Sequence, residues 1–190
     1  MSRGIPNPFS VDPHDWEALE RLQAEGGVDL DFNETQLQAA AYFRQGYLQQ
    51  MRGDLQAADR SYRKSIELYP TAEAYTFLGW TYSFMGRLAD AIAFCKRAIE
   101  TDPDFGNPYN DIGAYLIELE QFDAAIPYLR QACGAARYDA PHYPHFNLGR
   151  ALESLGEWPE AMKEYQRALD LYPDYKLAHR HLVQLQAKMN

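Results

Sequence analysis

The stretch "FLGWTYSFMGRLADAIAFCKRAIETDP", residues 77–103, decides the fold. It has the apolar spacing of two helices, yet Gly79 lies inside the first, where glycine costs about 1 kcal/mol relative to alanine. Gly86 separates the two segments, and Asp102-Pro103 ends the second. Gly79 therefore needs a packing reason or a functional one, and a repeat of the same pattern elsewhere in the chain favours packing.

The pattern occurs four times along the chain. The glycines equivalent to Gly79 are Gly46, Gly113 and Gly149, at spacings of 33, 34 and 36 residues. An alanine follows each of these glycines at the same distance, as Ala91 follows Gly79. Small residues at such positions let two helices approach closely, so the pattern predicts that the glycines are packing residues. A phosphate-binding loop is not indicated, because no further glycines cluster around Gly79.

The second copy carries a motif that resembles the tetratricopeptide repeat (TPR) signature, namely Tyr75-x-x-Leu78-Gly79-x-x-Tyr82, Ala91-x-x-x-Cys95 and Pro103. The resemblance implies an all-α fold, a right-handed α-solenoid of antiparallel helix pairs with about four TPR repeats. The predicted repeats span residues 39–71, 72–105, 106–141 and 142–175. The connection after the third copy is two residues longer than the period requires, so either its second helix extends or a small loop bulges there.

At both ends of the repeat array, a further segment could cover the outermost helices. Residues 176–190 predict a C-terminal capping helix, which repeat arrays require. Residues 1–38 form an acidic N-terminal arm with a formal charge of -6 and a short helix that begins near Asp12. Asn33 and Gln36 suit a capping box. The arm is either a solvated tail or a cover for the array.

Composition narrows the function classes. The net charge of -9 and the pI near 5.0 argue against nucleic acid as a partner. No apolar run approaches the roughly 20 residues that membrane insertion needs, and the start of the chain lacks a secretory apolar region. A cytoplasmic protein is expected. Cys95 and Cys133 are interpreted as small buried hydrophobes, in preference to a disulfide or a nucleophile.

The sequence predicts no catalytic residues, metal site or cofactor, and hence no enzyme. His142 and His145 are three residues apart, a spacing that binds a metal only where further ligands converge. A packing role is favoured instead, because His145 in the fourth copy occupies the position that Tyr75 occupies in the second copy. No serine or cysteine stands in an evident arrangement with a histidine and an acid.

The remaining candidate is a surface. In TPR arrays, as the resemblance implies, the first helix of each pair lines a concave groove that holds a peptide or a partner helix. Helical geometry predicts the side chains that face this groove. They are Phe43, Tyr47, Met51, Trp80, Phe84, Asn110, Ile117, Phe146, Asn147 and Arg150. The apolar members either bind an external partner or are covered by the chain's own N-terminal segment.

These features predict a non-catalytic adaptor or scaffold for protein–protein interaction that binds a peptide or helix of a partner protein. Asn110 and Asn147 are expected to bond the ligand backbone, and Arg150 to set its polarity. The alternative is a small acidic TPR chaperone that shields an apolar segment of a secreted or membrane client. The TPR chaperones of type III secretion are similar in size and charge. A purely structural subunit is a third class.

Overall fold

The computed structural model describes residues 8–9, 11, 16–17, 33–138 and 140–189. Within this part of the chain all regular elements are helices, and the only strand-like pairing is an isolated bridge. The helices are α1 (Glu34–Met51), α2 (Leu55–Leu68), α3 (Ala72–Phe84), α4 (Leu88–Thr101), α5 (Asn107–Glu118), α6 (Phe122–Gly134), α7 (His142–Ser154), α8 (Trp158–Leu171) and α9 (Lys176–Met189). The predicted fold class, all-α with repeated helix pairs, is confirmed.

The chain divides into two compact units, Met1–Arg87 and Leu88–Asn190. Unit one contains α1 to α3, and unit two contains α4 to α9. In unit one, α2 packs on both α1 and α3. In unit two, contacts run from each helix to the next along α5, α6, α7, α8 and α9. Each unit thus buries the apolar faces of short helices that follow one another in sequence.

Local signals set the helix ends. The Asn33 side chain accepts a hydrogen bond from the Gln36 amide, and the Gln36 side chain accepts one from the Asn33 amide, both at 2.9 Å. The predicted capping box is therefore confirmed. The turns after α1, α3 and α7 place Gly53, Gly86 and Gly156 at positive φ, a conformation in which glycine avoids the penalty of a side chain. In the third copy Glu120 takes this position with φ 58°.

Side chains of the following helix fill the space beside the repeat glycines Gly46 and Gly113. The Tyr62 ring lies against Gly46, where an added β-carbon would be 2.8 Å from a ring carbon. Leu129 occupies the same place at Gly113. Tyr62 and Leu129 are fully buried, so these glycines are packing residues, as predicted.

The long connection after α6 is a loop. Helix α6 ends at Gly134, and the chain then passes beside the turn before α5. There Arg137 O accepts a hydrogen bond from the Gly106 amide at 2.9 Å, and the Arg137 guanidinium lies 4.1 Å from the Phe105 ring centroid. Of the two sequence alternatives, the structure shows the loop.

The structure describes the predicted C-terminal helix through Met189, but only a few residues of the N-terminal arm. Helix α9 packs on α8 and buries Ala178, Leu182 and Leu185, as a capping helix does. Of the predicted N-terminal helix, Trp16 and Glu17 are helical, and the rest lies outside the described residues.

Candidate protein-binding surfaces

A continuous row of aromatic rings runs through unit one from α1 to the end of α3. The Phe77 ring is at its centre, 5.4 Å from Phe43, 5.8 Å from Tyr47 and 5.5 Å from Trp80, measured between centroids. Trp80 in turn stacks on Phe84 at 5.5 Å. The sequence did not predict Phe77 as a site residue, although its spacing of three residues from Trp80 puts both on one side of α3.

The N-terminal segment covers the α1 end of this row. Phe9 is buried and makes an edge-on contact with Phe43 at 5.9 Å. Trp16 makes a similar contact with Tyr47 at 5.9 Å. Phe9, Tyr62 and Phe77 all contact Phe43, which is fully buried. The sequence placed Phe43 on the open groove, and the structure instead makes it part of the core, because an aromatic residue far away in the chain packs on it.

The α3 end of the row is open. Trp80 is 38% exposed and Phe84 is 55% exposed, so large parts of both rings are accessible. Met51, one turn after Tyr47 on α1, is 50% exposed. Phe77 contacts the Trp80 ring of the stacked pair, so this exposed ring is supported from within unit one. We call Met51, Trp80 and Phe84 the apolar surface of unit one.

A buried amide lies between three helices of unit one. Gln50 Oε1 accepts a hydrogen bond from Tyr62 Oη at 2.9 Å and lies 3.1 Å from Thr81 Oγ1, whose single hydrogen is shared with Phe77 O at 2.9 Å. Gln50 Nε2 is buried without a hydrogen-bond partner in the described part of the chain. The amide therefore joins α1, α2 and α3 through its oxygen alone.

The predicted polar residues of unit two bond one another. Asn147 Nδ2 donates to Asn110 Oδ1 at 2.9 Å, and Arg150 Nη1 donates to Asn147 Oδ1 at 3.2 Å. Both asparagines are buried, whereas Arg150 is half-buried. A ligand backbone that used Asn110 or Asn147 would have to compete with these bonds, so Arg150 is the accessible member of the group.

The two apolar candidates in unit two are also buried. Ile117 is buried on α5. Phe146 lies beneath rings from the C-terminal segment, with centroids 5.0 Å from Tyr175 and 5.5 Å from His181. The sequence placed Phe146 on an open groove, and the structure corrects this: the ring lies in the interface that α9 and the turn before it close.

A cleft of about 440 Å³ lies in unit two. Its lining consists of Ile117, Arg150, Glu153, Ser154, Trp158, His181 and Lys188. Glu153 accepts hydrogen bonds from Tyr165 Oη at 2.7 Å and from His181 Nδ1 at 2.8 Å. Burial by itself would raise the pKa of Glu153, but these hydrogen bonds and the nearby charges lower it below its usual value. The cleft therefore holds a carboxylate that is already satisfied.

The two histidines singled out by sequence do not form a site together. His142 packs among rings, 4.9 Å from Tyr172 and 5.1 Å from Tyr175, and burial lowers its pKa. His145 points to α8, where its Nδ1 lies 2.7 Å from Glu164 Oε2. Sequence spacing missed Glu164 because it belongs to a different helix.

Comparison with known proteins identifies the family. Models of the tetratricopeptide repeat match residues 40–72, 72–105, 107–139 and 142–175. The chain belongs to the tetratricopeptide repeat family. The repeats indicate protein partners and a role in protein–protein interaction.

Solved structures agree on the fold. A crystal structure of MamA protein is 24% identical, with a TM-score of 0.66, over 78% of this chain and 80% of that one. MamA from Desulfovibrio magneticus RS-1 is 20% identical, with a TM-score of 0.69, over 83% of this TPR chain and 86% of that one. Pseudomonas aeruginosa PilF is 20% identical, with a TM-score of 0.78, over 83% of this chain and 71% of that one. At these identities the likeness shows the fold alone.

Among the described helices of this TPR protein, none combines the length and the apolar character that crossing a bilayer requires.

Proposed function

We propose that this TPR protein is a non-catalytic adaptor that binds a peptide or a helix of a partner protein on the apolar surface of unit one. The observation that carries the proposal is the exposed, stacked pair of Trp80 and Phe84. Exposed large apolar groups that lie together mark interaction sites more often than scattered ones do. Tryptophan is also enriched among the residues that dominate binding energy.

Preorganisation supports the same surface. Phe77 lies beside Trp80, and α1 contacts α3, so the partner does not have to order the rings on binding. Avoiding that loss of side-chain freedom saves about 0.5–1.5 kcal/mol for each side chain. Because the rings present faces and edges of carbon, the matching ligand carries apolar or aromatic side chains on one side. A cytoplasmic location is part of the proposal.

The experiment is a pull-down from cell extract, followed by titration of the recovered partner. Wild-type protein is compared with a Trp80→Ala, Phe84→Ala double variant. The matched control is a Leu171→Ala, Val183→Ala double variant, which removes two exposed apolar side chains from unit two. We expect the partner to be lost with the first variant and retained with the control.

Titration then separates apolar from charged recognition. Trp80→Ala should weaken binding at least tenfold, which is about 1.4 kcal/mol. Raising salt from low to physiological concentration should weaken it much less, because exposed ion pairs contribute at most about 1 kcal/mol. If the affinity is unchanged by Trp80→Ala and is lost at physiological salt, the partner recognises the acidic surface. The proposal would then be abandoned.

A further inference from the structure

Three potential metal ligands from three helices converge in unit two. Cys133 lies near the end of α6, His145 in the first turns of α7, and Glu164 in the middle of α8. Their ligand atoms all lie within 4.8 Å of one another. Cys133 Sγ is 3.6 Å from His145 Nδ1, which is 2.7 Å from Glu164 Oε2. Glu164 is buried, and the other two are half-buried.

The repeat itself shows that these three residues are unusual at their positions. The positions equivalent to His145 hold Tyr42, Tyr75 and Tyr109. Those equivalent to Cys133 hold Ile66, Ile99 and Leu169, and those equivalent to Glu164 hold Ser61, Phe94 and Tyr128. In the other copies, these positions therefore hold mostly aromatic and aliphatic side chains, which suit packing between helices. Three ligand-type residues replace them together at a single place.

We propose that Cys133, His145 and Glu164 bind a zinc ion. Thiolate, imidazole and carboxylate are the side chains that zinc uses in proteins, whereas magnesium and calcium prefer oxygen ligands alone. Three protein ligands leave a fourth tetrahedral position for water or for a group of the partner.

The distances suit this ion with a small adjustment. Tetrahedral zinc with such ligands separates neighbouring ligand atoms by about 3.4–3.6 Å. The 3.6 Å between Cys133 Sγ and His145 Nδ1 already matches this separation. The 2.7 Å between His145 Nδ1 and Glu164 Oε2 is a hydrogen bond, which the ion replaces by entering between the two atoms.

Groups next to the three ligands determine which hydrogen bonds and protons must change when zinc binds. Arg167 Nη1 donates to Glu164 Oε1 at 2.5 Å and so leaves Oε2 to face the other ligands. Outer hydrogen bonds of this kind orient metal ligands. When the ion binds His145 Nδ1, the ring carries its proton on Nε2 instead. Burial, with the Glu164 charge nearby, raises the pKa of the Cys133 thiol to about 12, and a bound metal ion displaces that proton to solvent.

Zinc at this place would join the last turn of α6 to α7 and α8. The loop of residues 135–141 that connects α6 to α7 is the longest connection among the repeats. The ion would therefore fix two helix pairs at the point where the repeat spacing is irregular. The inference is independent of the proposed binding at the apolar surface of unit one.

The test is titration of the full chain, reduced and freed of metal, with Co²⁺ and then with Zn²⁺. Co²⁺ bound to a thiolate gives an intense charge-transfer absorption, and Zn²⁺ should displace it. We expect one ion per chain. Cys133→Ser should abolish the charge-transfer band, and Glu164→Gln should weaken Zn²⁺ binding at least tenfold. His179→Ala, an exposed histidine on α9, is the matched control and should change neither.

A second measurement covers the case in which a ligand variant folds poorly. In the wild type, Zn²⁺ should slow alkylation of Cys133 at least tenfold, as followed by mass spectrometry of the labelled peptide. The proposal is overturned if Co²⁺ gives no thiolate band with the wild type. Alkylation of Cys133 that is unaffected by Zn²⁺ would overturn it equally.

Discussion

The ring of Tyr165 packs directly on the Cα of Gly149, so closely that a β-carbon on residue 149 would lie 2.6 Å from Tyr165 Cε1. Tyr165 is fully buried and donates its hydroxyl hydrogen to Glu153, so the ring has little room to retreat. This contact is the structural reason for a glycine inside α7, where helix propensity alone disfavours it.

Gly149→Ala should therefore destabilise the protein by about 1–3 kcal/mol, the usual cost of overpacking. Urea unfolding followed by circular dichroism measures the change. Gly134→Ala is the matched control, because a β-carbon there would meet nothing within 4 Å. The control should be neutral or slightly stabilising. Equal midpoints for wild type and Gly149→Ala would contradict the packing explanation.

Phe9→Ala should loosen the cover on unit one. The Phe9 ring contacts Phe43 at 5.9 Å and stacks near Tyr69 at 6.2 Å, so its removal uncovers the buried Phe43. We expect increased binding of a dye that detects apolar surface and a stability loss of up to about 3 kcal/mol. Phe84→Ala, which truncates a ring that is already exposed, should cost much less. Unchanged dye binding and stability for Phe9→Ala would show that the arm is not a cover.

Asp111 should make the protein less stable as pH rises. Burial raises the pKa of Asp111 from 3.8 to about 7, although Asn110 acts in the opposite direction. Between pH 3.8 and about pH 7, Asp111 keeps its proton in the folded state and loses it in the unfolded state. The contribution of Asp111 to the free energy of unfolding is therefore fully present below pH 3.8 and is lost as the pH rises to about 7.

Asp111→Asn removes the ionisation and should stabilise the protein at pH 8 by up to about 4 kcal/mol relative to wild type, with little difference at pH 4. Urea unfolding at several pH values measures this. Asp174→Asn, in the exposed turn before α9, is the control and should show no such trend. A constant difference between Asp111→Asn and wild type across this pH range would exclude the effect.

Glu153 should act in the opposite sense. Its pKa is lowered in the folded state, so its contribution is present above pH 4.5, the ordinary pKa, and is lost as pH falls through the lower, folded pKa. Glu153→Gln should cost about 1–3 kcal/mol at pH 7, because two donors lose a charged acceptor. The deficit should shrink in acid. Glu160→Gln, at an exposed ion pair, should cost less than 1 kcal/mol; a similar loss for both variants would argue against a special role for Glu153.

The sequence by itself determined the helix pairs and the packing glycines. These features depend on contacts within about 34 residues, and each copy of the repeat restates the same local pattern of small, apolar and turn-forming residues. The capping box at Asn33 and the glycine turn at Gly86 belong to the same class, because they are formed by neighbours in the chain.

Tertiary structure alone decided which candidate site residues remain accessible. Phe43 and Trp80 both fall on the predicted groove face, but Phe9 covers the first and leaves the second open. Likewise, Cys133 and Glu164 show no metal-ligand spacing in sequence, since they come together with His145 only when three helices pack. Burial and convergence depend on residues far apart in the chain, so the spacing of residues within one copy of the repeat does not reveal which side chains meet.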